Sequence, residues 1–411
     1  MKKIKPTIEQ LQFLEWEIGV FFHFGIRTFF EGHKDWDGKI MPLSEFNPTQ
    51  LDCYNWLKTA ADSGAKYAIL VCKHHDGFAN WPSKFSDYHV GLTPWKSGKG
   101  DVVFEFVNAC RRFNLKIGLY YSPAEAGYQK RTAQEYDNYF VNQISELLTN
   151  YGTIDYLWFD GNGSEGHEYD KPRIIATIRK LQPSILIFNM WDPDTRWVGN
   201  EAGVAGTLNV NQVTALDFSV LTGGKKDELS STKFLPAECD FMMRNHNWFY
   251  SEYDVHTVKS VEELVGLYYY SVGCGSNFLI NIGPDRRGLL PNVDSQRLLE
   301  FAAEIKRRFG NPISCQQETT ENGIKITFDR EQFVNHIIIS EDLTDGDGVE
   351  SFEILVQSGL LYRPTCVHTG TAIGNKRIIQ IPYIKATAII VNVIKSNGDY
   401  KLKTVDAFLV K

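Results

Sequence analysis

Nothing in this chain of 411 residues approaches the run of about eighteen apolar residues that a membrane-spanning helix needs, so no span is predicted. Basic runs are also missing. No Lys/Arg cluster exceeds a few residues and the formal net charge is −7, which argues against nucleic acid or an anionic membrane as partner and points to something small or uncharged. The seven cysteines, at 53, 72, 110, 239, 274, 315 and 366, form no CxxC or other metal-ligand spacing. Their odd number forbids complete pairing, and buried free thiols are the expectation. Met1-Lys-Lys-Ile-Lys-Pro6 runs into Thr7-Ile-Glu-Gln10 rather than an apolar segment, so no signal peptide is read. The expected compartment is the periplasm or the cell exterior, with a leader absent from this sequence, and the cytoplasm is the alternative. Internal repeats and low-complexity linkers are absent as well.

Aromatic residues, by contrast, are plentiful: they make up 13% of the chain, with nine Trp and nineteen Tyr. Flat rings suit the apolar faces of a pyranose, and core filling is the plainer use for many of them. Several short apolar or β-branched runs end abruptly in polar, aromatic or acidic residues: Gly19–His23, Tyr67–Lys73, Lys116–Tyr121, Asp155–Asp160, Ser184–Phe188 and Asn277–Ile282. Unbroken apolar character means burial on both faces, as in a parallel sheet covered by helices. Helical patterns fall between the runs at Pro48–Ser63, Val102–Phe113, Ala133–Asn150, Lys171–Gln182, Val261–Val272 and Val293–Phe309. The alternation predicts an α/β fold, a TIM-like (β/α) barrel over residues 1–312 with its chemistry where strands end. Beyond that point short alternating strands take over, as in Gly323–Phe328, His336–Ser340 and Ala388–Val391, with turns at Asp345-Gly-Asp-Gly348 and Asn397-Gly398. Residues 313–411 are therefore expected to form a C-terminal antiparallel β-sandwich packed on the barrel.

Two segments carry the chemistry. Trp158-Phe-Asp160-Gly is a buried strand ending in a carboxylate. An acid at the rim of a barrel strand points into the mouth, where a glycosidase nucleophile belongs; a helix N-cap is the plainer reading. Lys73-His-His-Asp-Gly-Phe78 also follows a buried strand. Its two imidazoles can both reach vicinal hydroxyls only if the chain curls there, and such a pair could equally ligate a metal. Metal hydrolases on barrels need His-x-His on the first strand, however, and this one offers only His23 before Phe24-Gly25. No catalytic metal and no cofactor are expected.

These blocks resemble glycoside hydrolase family 29, the retaining α-L-fucosidases. Gly19-Val-Phe-Phe-His-Phe-Gly25 is similar to that family's first-strand segment, Gly64–Tyr67 through Lys73–Ser83 to its most recognisable block, and Gly118-Leu-Tyr-Tyr-Ser122 to its next strand. Leu157-Trp-Phe-Asp-Gly161 resembles the nucleophile segment and Asn277–Pro284 the late barrel strand, all in the family's order across residues 19–288. The resemblance implies Asp160 as nucleophile. It implies that His23, His74, His75, Tyr121 and Trp158 hold the fucose hydroxyls and ring face, with Phe21 beside the C6 methyl. Asp35-Trp36 stands where the family commonly has Glu-Trp, and both residues are taken as substrate contacts.

Arg196–Gly203, with Glu201, resembles the acid/base segment of the subgroup specific for α-1,3/1,4-linked fucose. Leu235–Asp240 leading to Arg244 and Trp248 is also characteristic of that subgroup; it supplies Glu238 as the alternative acid, and Arg244 and Trp248 as substrate contacts. The implied partner is a fucosylated oligosaccharide or glycoconjugate cut at Lewis-type branches. A broader enzyme acting on aryl fucosides and α-1,2 linkages is the close alternative, a non-catalytic glycan-binding protein the distant one. The C-terminal module resembles a discoidin-like domain and is expected to buttress the barrel, its candidate exposed rings being Tyr362, Tyr383 and Tyr400.

Overall fold

The apolar runs build the wall of a parallel barrel. In the computed structural model, which describes residues 3–30, 39–125, 130–164, 166–219 and 225–411, the chain opens with helix α1 (Ile8–Trp16) and strand β1 (Ile18–Phe22). There follow β2 (Tyr67–Lys73), β3 (Lys116–Tyr121), β4 (Tyr156–Phe159), β5 (Leu186–Phe188) and β6 (Arg196–Trp197). An antiparallel hairpin, β7 (Gln212–Ser219) and β8 (Lys225–Phe234), stands apart before β9 (Ala237–Met242) and β10 (Asn277–Asn281) complete the wall. The eight wall strands pair in parallel in the order β5-β4-β3-β2-β1-β10-β9-β6. A parallel bridge, Phe188 to Thr195, joins the two ends of that order and closes the ring.

Helices α2 (Cys53–Asp62), α3 (Val102–Arg112), α4 (Ala133–Asn150) and α5 (Lys171–Leu181) fill the first four crossovers, and α6 (Val261–Tyr270) and α7 (Asn292–Phe309) flank β10. Their starts are written locally. Asp52, Asp101, Thr132, Asp170 and Ser260 each accept a backbone N–H of the first turn, satisfying a donor the helix cannot. Amphipathic faces such as Val103, Phe106, Val107 and Cys110 of α3 then pack on the outer side of the wall.

Strand alternation sends the other side chains inward, where Tyr67, Ile69, Val71, Tyr156, Trp158, Leu186 and Phe188 fill the barrel. Phe13 and Trp16 of α1 close its lower end against Tyr67 and Tyr156. Gly19 makes room for this layer: a Cβ there would lie 2.3 Å from Cζ of Tyr67.

A second sheet follows α7: β11 (Gln316–Thr320), β12 (Gly323–Glu341), β13 (Val349–Gln357), β14 (Thr365–Gly370), β15 (Arg377–Ser396) and β16 (Leu402–Phe408), in the order β11-β12-β15-β13-β14 with β16 on β12. The long strands β12 and β15 are interrupted by register shifts near Thr327/Gln332 and Val334/His336, so they bend around a separate core that includes Ile326, Ile337, Ile354, Ile389 and Val405. Bulges of this kind turn one antiparallel sheet into the expected sandwich. The sheet sits directly on the barrel through Tyr269 Oη and His336 Nε2 at 2.8 Å and Phe309 against Phe408.

Several details depart from expectation. Helix α1 and strands β6 to β9 were not predicted, and Gly323–Phe328 and His336–Ser340 are parts of one strand. Five of the seven cysteines are buried as expected, but Cys315 is half-buried and Cys366 exposed, and none is bridged. Of the three C-terminal tyrosines, Tyr362 and Tyr383 are exposed as expected, Tyr383 also donating to the Val410 carbonyl at 2.8 Å, whereas Tyr400 packs partly against the sandwich core. No helix among the described residues is long and apolar enough to cross a membrane.

Candidate active site

The C-terminal ends of the wall strands enclose a cavity of about 270 Å³, lined by Phe21, His23, His74, His75, Tyr120, Trp158, Asp160, Asn162, Phe188, Asn189, Trp197, Glu201, Asp240 and Trp248, among others. Asp160 follows the last residue of β4 directly, so it continues the inward parity of Tyr156 and Trp158 and stands at the rim. It caps no helix, because α5 begins ten residues later on Asp170. Its Oδ2 accepts from Tyr120 Oη at 2.8 Å and faces His75 Nε2 at 3.4 Å, while Oδ1 accepts from the Asn162 amide at 2.9 Å. Burial acts to raise this carboxyl, but the neighbouring His75 and these hydrogen bonds outweigh it and hold it below the usual carboxylate range. A carboxylate so held stays ionised and keeps lone pairs turned to the cavity.

The His-His segment does curl. Gly77, at φ +83°, returns its N–H to the His74 carbonyl at 3.0 Å, a turn that suits a residue without a Cβ. His74 stacks on Tyr120 with ring centroids 5.5 Å apart, and His75 Nδ1 meets Ser122 Oγ at 2.6 Å. Behind the turn, Asp76 pairs with Arg27 at 3.3 Å and accepts from the Phe78 amide. Buried Lys73 pairs with Glu125 at 3.0 Å.

His23 Nδ1 lies 2.7 Å from Asn281 Oδ1, whose own amide donates to the Trp248 carbonyl. In that assignment Nδ1 carries the proton and Nε2 is left as an acceptor. Burial drives the ring's pKa down to about 3, so it is neutral at ordinary pH. Phe21, Tyr120, Trp158 and Phe188 form a continuous aromatic wall, Trp158 stacking on Phe188 at 4.1 Å.

Three residues stand elsewhere than expected. Tyr121 turns outward from β3 and donates to Gln143 on α4, so Tyr120 takes the place in the cavity, because adjacent residues of a strand face opposite ways. Glu238 lies below the cavity and does not line it. Fully buried, it accepts from Tyr67 Oη at 2.6 Å, Trp158 Nε1 at 2.8 Å and Tyr156 Oη at 3.3 Å. Burial pushes its pKa up to about 7 against those bonds. Arg244 also stays outside, pairing with Asp254 at 2.8 Å and Asp294 at 2.7 Å and donating to the Ser251 carbonyl. It fixes the loop that delivers Trp248. Asp35 and Trp36 lie outside the described residues.

Sequence reasoning missed Tyr120, Asn162, Asn189, Trp197 and Asp240. Asp240 is two positions beyond Glu238 on β9, so it shares the inward face but sits nearer the rim. It accepts from Trp197 Nε1 at 2.6 Å, and burial, with the charge of nearby Glu201, raises its pKa well above the ordinary value. Its parity with Glu238 is the signal, readable only once β9 is known to be a strand. Among the described residues His74, His75 and Asp160 also offer ligand atoms within 4.8 Å of one another, the donor set of a divalent-cation site, although three hydrogen-bond partners already engage the Asp160 oxygens.

Comparison with known proteins bears on family and fold. The family model for alpha-L-fucosidase matches residues 39–308. The chain is 35% identical over 331 residues to Alpha-L-fucosidase 1 of Arabidopsis thaliana, covering 78% of the present chain and 64%, just under two thirds, of that relative. A crystal structure of a glycoside hydrolase 29 family member from an unknown rumen bacterium superimposes with TM-score 0.89 at 31% identity, covering 100% of this chain and 78% of that one. A Ruminococcus gnavus family 29 fucosidase in complex with fucose shares the fold, with TM-score 0.86 at 22% identity over 99% of this chain and 95% of that one.

Proposed function

The chain belongs to the alpha-L-fucosidase family of glycoside hydrolases, and from that premise we propose that it is a retaining exo-α-L-fucosidase that removes terminal α-1,3/1,4-linked fucose from Lewis-type glycans. The observation that carries the reading is Asp160: an ionised carboxylate at a strand end, oriented by His75, Tyr120 and the Asn162 amide, on a cavity it shares with Glu201. About 270 Å³ lies near the lower end of small-molecule pockets, roughly 300 Å³, and suits one sugar ring.

In this reading an Asp160 oxygen attacks the anomeric carbon as its bond to the aglycone oxygen breaks, and Glu201 gives that oxygen its proton. Glu201 then takes a proton from water, the water oxygen attacks the same carbon, and the bond to Asp160 breaks. Two inversions leave the configuration retained. Neutral His23 accepts a sugar hydroxyl at Nε2, and His74 and His75 bind its neighbours. The aromatic wall of Phe21, Tyr120, Trp158 and Phe188 faces the C6 methyl, where a 6-hydroxyl would lose water without gaining a partner. Glu201 is preferred to Glu238 as the acid because it borders the cavity, whereas Glu238 is enclosed by aromatic donors. Residues 1–312 are taken as the catalytic unit.

A 2-fluoro-fucosyl trapping reagent should label Asp160, and a label on any other residue would sink the mechanism. Azide should partly restore Glu201→Ala on an activated aryl fucoside; rescue of Glu238→Ala instead would move the acid. Faster cleavage of a Lewis trisaccharide than of an α-1,2-linked one supports the linkage, and the reverse favours the broad-specificity reading. The His74, His75 and Asp160 cluster favours a metal-dependent hydrolase as a second reading, which activity unchanged by chelator would remove. The periplasm or cell exterior is our proposed compartment; seven unbridged thiols favour the cytoplasm as second choice.

A further inference from the structure

The stretch from β6 to β7 that carries Glu201 is irregular, so its course depends on what holds it. At its start Arg196 and Trp197 pair with β9. In the middle Ala202 bridges Phe241, and the Ala205 amide donates to the Tyr270 carbonyl at 2.8 Å. At its end the holder is not the barrel alone. Asp347, in the turn between β12 and β13, accepts at Oδ2 from the backbone amides of Asn211 at 2.8 Å and Gln212 at 2.9 Å, and at Oδ1 from Asn211 Nδ2 at 2.8 Å. Its own carbonyl accepts from Gln212 Nε2. Arg196 donates back to the Asn209 side chain and to the Val210 carbonyl at 3.0 Å, so both ends of the stretch are tied at one place.

The turn is itself braced from within. Buried Glu341 accepts from the amides of Gly348 at 2.7 Å and Val349 at 3.1 Å, which fixes the residues on the far side of Asp347. A carboxylate receiving three N–H groups from one short segment, two from backbone, is a strong and directional clamp.

We propose that Asp347 is a positioning residue for the reaction: the C-terminal sheet, through this clamp, holds the Glu201 segment in register with the cavity. The inference rests on the acid/base reading of Glu201. It gives the second domain a defined task, the placement of one catalytic group, beyond general support of the barrel.

The test exploits the fact that an acid matters most for a poor leaving group. The value of kcat/KM reports the step up to the fucosyl-enzyme, which needs Glu201 for an oligosaccharide and hardly at all for a dinitrophenyl fucoside. Asp347→Asn keeps the size but turns one acceptor into a donor that faces N–H groups. It should lower kcat/KM on a Lewis trisaccharide about tenfold or more and leave the dinitrophenyl substrate within about twofold, since misplacement by about 1 Å costs up to about a hundredfold. In a Glu201→Ala background it should add no further loss on either substrate. Equal losses on both substrates, or none on either, would overturn the clamp. If Glu201→Ala itself lacks the split, the acid/base reading falls instead. Should Asp347→Asn fail to fold, Asn211→Ala removes only the side-chain bond and should give a smaller split in the same direction; without that split the clamp is again overturned.

Discussion

The barrel interior has two floors, and each carries a carboxyl with a displaced pKa. On the upper one Asp160 is held below its ordinary range and borders the cavity. On the lower one Glu238 is pushed up to about 7 and is sealed beneath Trp158. A shifted acid is often taken as the mark of a catalytic site, yet here burial alone produces an upward shift in a group without access to the cavity. What separates the two floors is access. Each carboxyl has three hydrogen-bond partners, but Asp160 borders the cavity, whereas Glu238 is fully buried beneath it among Tyr67, Tyr156 and Trp158.

The comparison breaks most sharply on turnover. Asp160→Asn should cut kcat on an aryl fucoside by at least about a thousandfold with little change in melting temperature. Glu238→Gln, which still offers Trp158 an acceptor, should keep kcat within about tenfold; a collapse matching that of Asp160→Asn would mean that the lower floor takes part in the chemistry.

The next effect lies in stability against pH. Glu238 titrates near 4.5 when unfolded and near 7 when folded, so between those values the native state binds a proton that the unfolded chain has released. Stability should therefore fall as pH rises from about 4.5 to 7, by up to about 3 kcal/mol, and then level off. Asp160 works in the opposite sense, with stability lost as pH falls through its depressed folded value. Denaturant melts at several pH values should give Glu238→Gln a flatter profile over that window, and an unchanged slope would remove Glu238 as its source.

The smallest contrast is between neighbours. Tyr120→Phe deletes a donor to Asp160 and should lower kcat/KM by about tenfold, whereas Tyr121→Phe deletes one to Gln143 and should cost about 1 kcal/mol of stability with kinetics intact. Interchanged results would mean that strand parity places the wrong tyrosine in the site.

Much of this was legible in the chain because burial on two faces leaves an unbroken apolar run, and six of the eight wall strands have one. Strand β9 has none: Glu238 and Asp240 occupy its inward positions and interrupt the pattern. Strand β6 is only two residues long. Helix α1 escapes the periodicity although Thr7 and Gln10 form a capping box, since it is only nine residues long and its apolar residues do not gather on one face; its task is to stopper the barrel. In the site, Asp160 and the His-His pair were readable because each follows a recognisable run. The resemblance points to Tyr121 where Tyr120 stands, because it locates a segment, while the choice between adjacent tyrosines needs the phase of the alternation. Nothing in the sequence links Asp347 to Asn211, 136 residues away.

A closed wall is only as firm as its narrowest joint, and among the described residues that joint is the bridge between Phe188 and Thr195, carried by the Thr195 amide on the Ile187 carbonyl and the Asn189 amide on the Thr195 carbonyl. Most other neighbouring strands share three or more rungs, as β2 and β3 do over Tyr67–Lys73, while β6 and β9 share two. Thermal breathing should begin at the weak seam, where amide hydrogens will exchange ahead of those in β1 to β4. One lip of the opening leads through Arg196 and Trp197 toward Glu201, and the other carries Phe188, which backs Trp158. Asp160, set on the well-laced side, would stay still while the opposite shore of the cavity moves.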